Sequence, residues 1–159
     1  MGTLQEDLEA WDRRTKEKYP DVDSQVLQFI TDMVSCAAKN GDEYEVVRSM
    51  FHAGYCWHFA TMLKNTFKRG GVCWAAPLGH FVWVDDNGVP YDVEGANFGE
   101  QDYHIPESYL GDALKDFMHI PGETYSISKE EIVAIIRKYE NDNSLPHKDY
   151  TEFMERKDW

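Results

Sequence analysis

The chain has 159 residues, and its 29 acidic side chains outnumber its 16 basic ones to give a formal net charge of -13 at pH 7. Hydrophobic residues make up 42% of it and aromatic residues 14%, which predicts one globular domain over 1–159 and excludes a disordered chain. A surface this acidic repels phosphate backbones and anionic lipids, so we expect no nucleic acid and no membrane among its partners, and a neutral or cationic substrate or a basic protein fits better.

Two helices are predicted at the start of the chain. Thr3 and Glu6 match a capping box at the start of a polar helix that runs to about Lys18. Asp23 or Ser24 can cap a second helix. Apolar residues recur in it at i, i+3 and i+4, as on the buried face of an amphipathic helix: Val26, Phe29, Ile30, Met33, Val34 and Ala37.

Two more helices are predicted before the first strand. Asp42 and Glu45 can cap a third helix, which Gly54 would end. A fourth helix is predicted to start almost at once, at Tyr55 or Cys56. Its apolar stripe consists of Cys56, Phe59, Ala60, Leu63 and Phe67.

The pattern then changes to that of short strands. Residues 72–76 predict one strand, and residues 81–84 and 89–93 predict two more. The last two flank Asp86-Asn87-Gly88, the clearest hairpin signal in the chain. The stretch beyond Gly95 is predicted to be irregular.

Helices return in the C-terminal part of the chain. One is predicted over about 107–118, after Pro106, and Ser128 with Glu131 caps another. The tail over 141–159 is polar and is expected to lie only on the surface. Helices, then a small antiparallel sheet, then further helices define an α+β domain.

Cys56 is the first candidate for chemistry. It falls at the first turn of a predicted helix, where free backbone N–H groups and the helix dipole stabilise an anion. A thiolate at such a position has a pKa below the ordinary value of about 8.5, and the same N–H groups can hold an oxyanion. Gly54, two residues earlier, allows a sharp turn of the backbone into this position.

His80 and Asp92 are the candidate base and orienting acid, and the hairpin turn decides whether they meet. A two-residue Asn87-Gly88 loop would place them on opposite faces of the sheet, because side chains alternate along a strand. A three-residue loop that begins at Asp86 places both on one face and requires a positive φ at its glycine. The triad hypothesis therefore predicts the three-residue turn. Glu94 would then lie opposite His80 and is the alternative orienting acid.

These segments resemble a known superfamily. Gly54-Tyr-Cys56-Trp-His-Phe-Ala60 resembles the Gly-x-Cys-x-x-x-Ala helix start of transglutaminase-like proteins. Gly79-His80-Phe-Val-Trp83-Val84, followed by Asn87-Gly88 and Asp92, is similar to the histidine hairpin of that group and of NlpC-type cell-wall peptidases. Both groups belong to the papain-like cysteine hydrolases, and the resemblance covers about 42–95. The segment between the cysteine and the histidine is shorter than in those families, which predicts that one strand or loop is missing.

The resemblance implies a site and a reaction. Cys56 would be the nucleophile, His80 the general base and acid, and Asp92 the orienting residue, on a nucleophile helix packed against a small antiparallel sheet. The implied reaction is hydrolysis or acyl transfer at an amide, by a peptidase, amidase, deamidase or transglutaminase-like enzyme. The substrate would be a peptide or another amide-bearing molecule, including a protein, and no cofactor would be needed. The alternative is a non-catalytic acidic binding or inhibitor protein on a papain-like scaffold.

The cysteines and histidines also allow plainer interpretations. Cys56 lies on an apolar helical stripe and could be a core cysteine. Cys36 and Cys73 are expected to pack in the core, with Cys73 as the alternative nucleophile. His104 and His119 each precede an Ile-Pro pair that marks a boundary, and either histidine could line a cleft.

A metal site is disfavoured. The chain contains neither a Cys-x-x-Cys nor a His-Glu-x-x-His motif. His52 and Cys56 have i, i+4 spacing, but Gly54 is expected to break the helix between them. The potential ligands are His52, Cys56, His58, Cys73 and His80.

The compartment is predicted from the N-terminus and the cysteines. The sequence does not begin with a basic segment followed by an apolar run, and no stretch reaches the roughly 18 apolar residues of a membrane helix. Three cysteines form an odd, sparse set that indicates free thiols in a reducing compartment. We therefore expect a cytoplasmic protein, with release by lysis or by a specialised secretion machine left open.

Overall fold

The computed structural model describes residues 6, 10, 13, 17–39, 55–77, 80–96, 101–118 and 127–156. These residues form an α+β fold, as the sequence predicts. It has one five-stranded antiparallel sheet, with helices before and after the strands in the sequence. The predicted third helix with Gly54 at its end, most of the predicted first helix, and His52 and His119 lie outside the described residues.

Side-chain caps begin two of the helices. Asp23 caps α1 (Ser24–Lys39), since its Oδ1 accepts the N–H of Gln25 at 2.8 Å, and the hydroxyl of Ser128 accepts the N–H of Glu131 at 3.1 Å at the start of α4 (Lys129–Asp142). None of the described helices is both long and apolar enough to cross a membrane. The helices are α1 (Ser24–Lys39), α2 (Cys56–Phe67), α3 (Leu114–Met118), α4 (Lys129–Asp142) and α5 (Thr151–Glu155).

Five strands form the sheet in the order β4-β3-β2-β1-β5. The stretch beyond Gly95, predicted to be irregular, contains the last two of them, which is a correction. Strands of 2 and 4 residues are too short to show an alternating pattern, so only their pairing reveals them. The strands are β1 (Gly71–Ala76), β2 (His80–Val84), β3 (Pro90–Asp92), β4 (Gly95–Ala96) and β5 (Tyr103–Pro106).

Helix α2 packs against β1, β2 and β3. The buried side chains of this layer include Phe59 and Leu63 from the helix and Trp74, Phe81 and Trp83 from the strands, none more than 2% exposed. Burying each such side chain contributes about 1.5–3 kcal/mol. This packing therefore fixes the helix that begins at Cys56 against the strand that begins at His80.

The connection from α2 to β1 is short and places the helix start at one end of the sheet. Gly70 has φ +68, and a Cβ there would collide with the carbonyl oxygen of Val84. The chain reverses through this close approach, so α2 and β1 run in opposite directions. The start of α2 therefore lies near the end of β1, where Ala75 pairs with His80.

The β2–β3 hairpin has the three-residue loop that the triad hypothesis predicts. Trp83 pairs with Tyr91, and the N–H of Asp85 donates to the carbonyl of Val89 at 3.0 Å. The N–H of Gly88 donates to the carbonyl of Asp85 at 3.0 Å, and Gly88 has φ +79. A type I turn closed by a residue with positive φ is thus confirmed, and it brings His80 and Asp92 to one face.

The predicted helix over 107–118 is interrupted. The chain forms two 3-10 turns, Glu107–Tyr109 and Gly111–Ala113, before α3. Gly111 has φ +51, which a continuous right-handed helix cannot contain. The prediction was right about helical backbone in this segment and wrong about one continuous helix.

The prediction for the tail was wrong. Glu140 is 0% exposed, and its Oε2 accepts the backbone N–H of Lys148 at 2.9 Å and the hydroxyl of Tyr103 at 2.7 Å. Tyr150 and Phe153 are buried at 6% and 7% exposure. The described part of the tail is therefore packed into the domain around a buried carboxylate and does not merely cover its surface.

Candidate active site

Cys56 is the first residue of α2 and is 8% exposed. Its thiol hydrogen-bonds with the ring of His80 and with the backbone N–H groups of Phe81 and Trp57. The Trp57 N–H belongs to the first turn of the helix, where backbone N–H groups have no partner within the helix. The start of the helix and the histidine of the hairpin, which lie 24 residues apart in the sequence, therefore both contact the sulfur of Cys56.

His80 bridges the thiol and a carboxylate. Its Nε2 lies 3.1 Å from Oδ2 of Asp92, which leaves Nδ1 for the thiol of Cys56. The His80 side chain is 20% exposed and that of Asp92 is 7% exposed. The three predicted site residues therefore form one hydrogen-bonded series, in the order thiol, imidazole, carboxylate.

The pKa values of the thiol and the imidazole move in opposite directions. Burial raises the pKa of Cys56, but the hydrogen bond from His80, the N–H groups of Phe81 and Trp57 and the charge of His80 together lower it below its ordinary value. Burial lowers the pKa of His80, but its hydrogen bonds and charge interactions with Asp92 and Cys56 raise it to about 9. Both shifts favour a thiolate beside an imidazolium.

Asp92 is held on both oxygens, and Glu94 takes a different position from the one predicted. Oδ1 of Asp92 accepts the N–H of Glu94 at 2.8 Å, while Oδ2 faces His80. Strand β3 ends at Asp92, so Glu94 lies in the turn to β4 and not on a strand opposite His80. The expectation that it would continue the ladder was wrong, because the chain turns two residues too early.

The other two cysteines contrast with Cys56. Cys73 is also 8% exposed, but burial and the nearby charge of Glu107 raise its pKa to about 11. Its thiol lies 3.9 Å from the carbonyl oxygen of Gly71. Cys36 is exposed on α1, so the expectation that it packs in the core was wrong. Two equally buried thiols therefore have pKa values shifted in opposite directions, and contact with His80 distinguishes Cys56 from Cys73.

Trp57 and Glu107 form a contact beside the site that the sequence did not reveal. The indole N–H of Trp57 donates to Oε2 of Glu107 at 2.8 Å. It ties the residue after Cys56 to the start of the 3-10 turn that follows β5. The sequence predicts Trp57 only as an aromatic residue of the core or a cleft wall, and Glu107 only as the start of a helix. No local pattern connects two residues that are 50 positions apart.

Within the described residues, no group of three or more His, Cys, Asp and Glu side chains is placed to hold a metal ion. No family model, no curated protein and no solved structure matches the chain significantly. The site itself combines a thiol with a lowered pKa, an imidazole in contact with that thiol, and a carboxylate 3.1 Å from the imidazole.

Proposed function

We propose that the chain is a papain-like cysteine hydrolase or acyltransferase that cleaves an amide through an acyl-enzyme on Cys56. The observation that carries the proposal is the hydrogen-bonded series from Cys56 through His80 to Asp92. It is supported by the comparison of two equally buried thiols, since the pKa of Cys56 is lowered and that of Cys73 is raised to about 11.

The first half-reaction forms a thioester. The thiolate of Cys56 attacks the carbonyl carbon of the amide, and the carbonyl electron pair moves to oxygen. The N–H groups of the first turn of α2 are the candidate donors to that oxyanion. The oxyanion then re-forms the carbonyl as the carbon–nitrogen bond breaks, and the imidazolium of His80 gives its Nδ1 proton to the leaving amine, so that a thioester and a neutral ring hydrogen-bonded to Asp92 remain.

The second half-reaction restores the thiolate–imidazolium pair. Neutral His80 takes a proton from water or from an amine, which attacks the thioester carbonyl as the proton leaves. The carbon–sulfur bond breaks, and the sulfur departs as the thiolate paired with the imidazolium. Water gives a carboxylic acid, and an amine gives a new amide. Hydrolysis and acyl transfer therefore follow the same steps and differ only in the second substrate.

Alkylation by iodoacetamide tests the proposal. The rate at each of the three cysteines is measured between about pH 5 and pH 10 by peptide mapping, in the wild type and in His80→Ala. Cys56 should react well below the pH at which a free thiol of pKa about 8.5 does, and His80→Ala should remove that advantage. Cys36 is the exposed internal control, and Cys73 is the buried one.

Two outcomes would contradict the proposal. Cys56 could resist alkylation in the folded protein as Cys73 is expected to, which would make it a core cysteine. It could also react identically with and without His80, which would mean that the ring does not hold a thiolate. In either case the acidic surface would point to a binding protein on the same scaffold.

A further inference from the structure

His104 occupies the strand on the other side of β1 from His80. Ala75 pairs with His80 on β2 and with His104 on β5. Residues directly opposite each other in an antiparallel sheet project from the same face. The two imidazoles therefore leave the sheet on one face, from backbones about 10 Å apart, since neighbouring strands are spaced by about 4.8 Å.

On the strand between the two histidines, the residue that pairs with both is Ala75, which is buried and carries only a methyl group. His104 is half-buried, as is Gln101, and the side chain of His80 is 20% exposed. The N–H of Asp102 donates to the carbonyl of Ala76 at 2.9 Å and fixes the chain between Gln101 and His104 against the end of β1.

The contact between Gln101 and His104 determines which atoms they can offer. Nε2 of Gln101 lies 2.9 Å from Nε2 of His104. An amide nitrogen only donates, so the ring nitrogen accepts, and the proton of a neutral His104 is on Nδ1. Burial lowers the pKa of His104, which agrees with a neutral ring. The pair thus presents a ring N–H donor together with the second N–H and the oxygen of the Gln101 amide.

This set of atoms matches an uncharged amide better than an ion. A peptide group has one strong donor and one strong acceptor, and the pair can complement both. A carboxylate or an ammonium group would have to be desolvated beside two neutral side chains, which is unfavourable.

We propose that His104 and Gln101 form a specificity site that hydrogen-bonds a second amide group of the substrate, so that the enzyme prefers peptides over simple amides. The proposal rests on the function proposed above, because it takes Cys56 as the point of attack. Successive Cα atoms of a peptide are about 3.8 Å apart, so the second amide would lie one or two residues from the scissile bond.

A matched pair of affinity labels tests this site. Acetyl-glycyl-glycyl chloromethyl ketone carries two amide groups, and heptyl chloromethyl ketone has a chain of the same length without them. Each alkylates the thiolate, with formation of a carbon–sulfur bond and loss of chloride. The ratio of their rates at Cys56 is measured in the wild type, in His104→Leu and in Gln101→Leu, with His147→Leu as control, since His147 also bonds an amide side chain, that of Asn141, at 2.7 Å.

The wild type and His147→Leu should favour the diamide label, and His104→Leu and Gln101→Leu should each lower that ratio about two- to tenfold, as expected for one or two hydrogen bonds. A ratio that stays unchanged in both site variants overturns the proposal, as does a wild type without any preference. An equal fall of both rates in the site variants also overturns it, because it would show a structural role. Failure of the catalytic proposal is seen separately, as rates with both labels that do not respond to His80→Ala.

Discussion

Nε2 of His80 lies 3.1 Å from Oδ2 of Asp92 across a hairpin whose three-residue loop places the two residues on one face of the sheet. The other carboxylate oxygen accepts the N–H of Glu94 at 2.8 Å, so the carboxylate plane is fixed by the backbone that follows it. The orientation of the ring is therefore set by the turn at Gly88 and by the end of β3. Because Nε2 is occupied by Asp92, the proton that matters for chemistry is the one on Nδ1, beside Cys56.

Asp92→Asn should impair this arrangement without changing the shape of the site. The amide oxygen can still accept the N–H of Glu94, but the amide nitrogen would donate to Nε2 of His80. A neutral ring would then carry its proton on Nδ1, facing Cys56, and could not take the proton of the thiol. We expect the pKa of Cys56 to rise, which lowers the thiolate fraction and reduces the alkylation rate on the acidic side of the wild-type pKa by about an order of magnitude.

The measurement for Asp92→Asn is the pH profile of iodoacetamide alkylation at Cys56. Asp102→Asn is the matched control, because it makes the same change of side chain at a carboxylate that faces Lys148, at 3.4 Å. An Asp92→Asn profile that overlays the wild type would show that the carboxylate does not orient the ring.

Gly88→Ala tests the turn that sets the register. Gly88 has φ +79 and nothing within 4 Å of the position of a Cβ, so the cost of the substitution is conformational and not steric. An L-residue in the left-handed region costs about 1–2 kcal/mol, and we expect the free energy of unfolding to fall by that amount. Gly71→Ala is the control, since Gly71 also has open space around its Cβ position but no positive φ, and it should be close to neutral. Urea denaturation measures both, and equal losses in the two variants would contradict the assignment of the turn.

Local signals in the sequence were sufficient for the parts of the fold that depend on near neighbours. Asp23 caps α1, and the helix of Cys56 starts where its apolar stripe and the preceding glycine predicted. Gly88 was compatible with both the two-residue and the three-residue loop, since each requires a positive φ at its glycine, and the triad hypothesis selected the three-residue loop that the structure shows. The shared face of His80 and Asp92 follows from that loop length.

Contacts between distant segments could not be predicted in the same way. The thiol of Cys56 is stabilised by the N–H of Phe81, and the buried carboxylate of Glu140 receives the N–H of Lys148. Neither residue type carries a local signal for such a role, since every backbone has N–H groups and most glutamates are exposed. The position of Glu94 depends on where β3 ends, and the ends of helices and strands are what a sequence pattern predicts least well.

Raising the pH should weaken the folded state through His80. The pKa of His80 is about 9 in the folded protein and 6.5 as an ordinary value, so its contribution to stability is complete below about pH 6.5 and is lost as the pH rises through about 9. The lowered pKa of Cys56 acts in the opposite sense, since its contribution is present above its ordinary pKa and is lost as the pH falls. Because the thiol and the imidazole shift each other's pKa, the histidine is isolated in a Cys56→Ser background, as the difference in unfolding free energy between Cys56→Ser and the double variant that also carries His80→Gln. Asp92 still raises the pKa of His80 in that background, so the difference should shrink in urea denaturation as the pH rises above about 6.5, and a constant difference would contradict the raised pKa.

Glu140→Ala should release the C-terminal segment at a larger cost than the loss of one hydrogen bond. The fully buried carboxylate accepts the Tyr103 hydroxyl at 2.7 Å and the Lys148 N–H at 2.9 Å, and its other oxygen lies 2.8 Å from Nη1 of Arg137. Removing it leaves three donors without their acceptor, and we expect a loss of about 2–4 kcal/mol in the free energy of unfolding. Tyr103→Phe is the matched control, because it removes only one of these donors and should cost about 1 kcal/mol. Urea denaturation gives both values, and limited proteolysis with mass spectrometry reports whether cleavage after residue 144 becomes faster in Glu140→Ala. Equal destabilisation by the two variants would show that the carboxylate does not organise the segment and that the Tyr103 hydroxyl bond alone accounts for the effect.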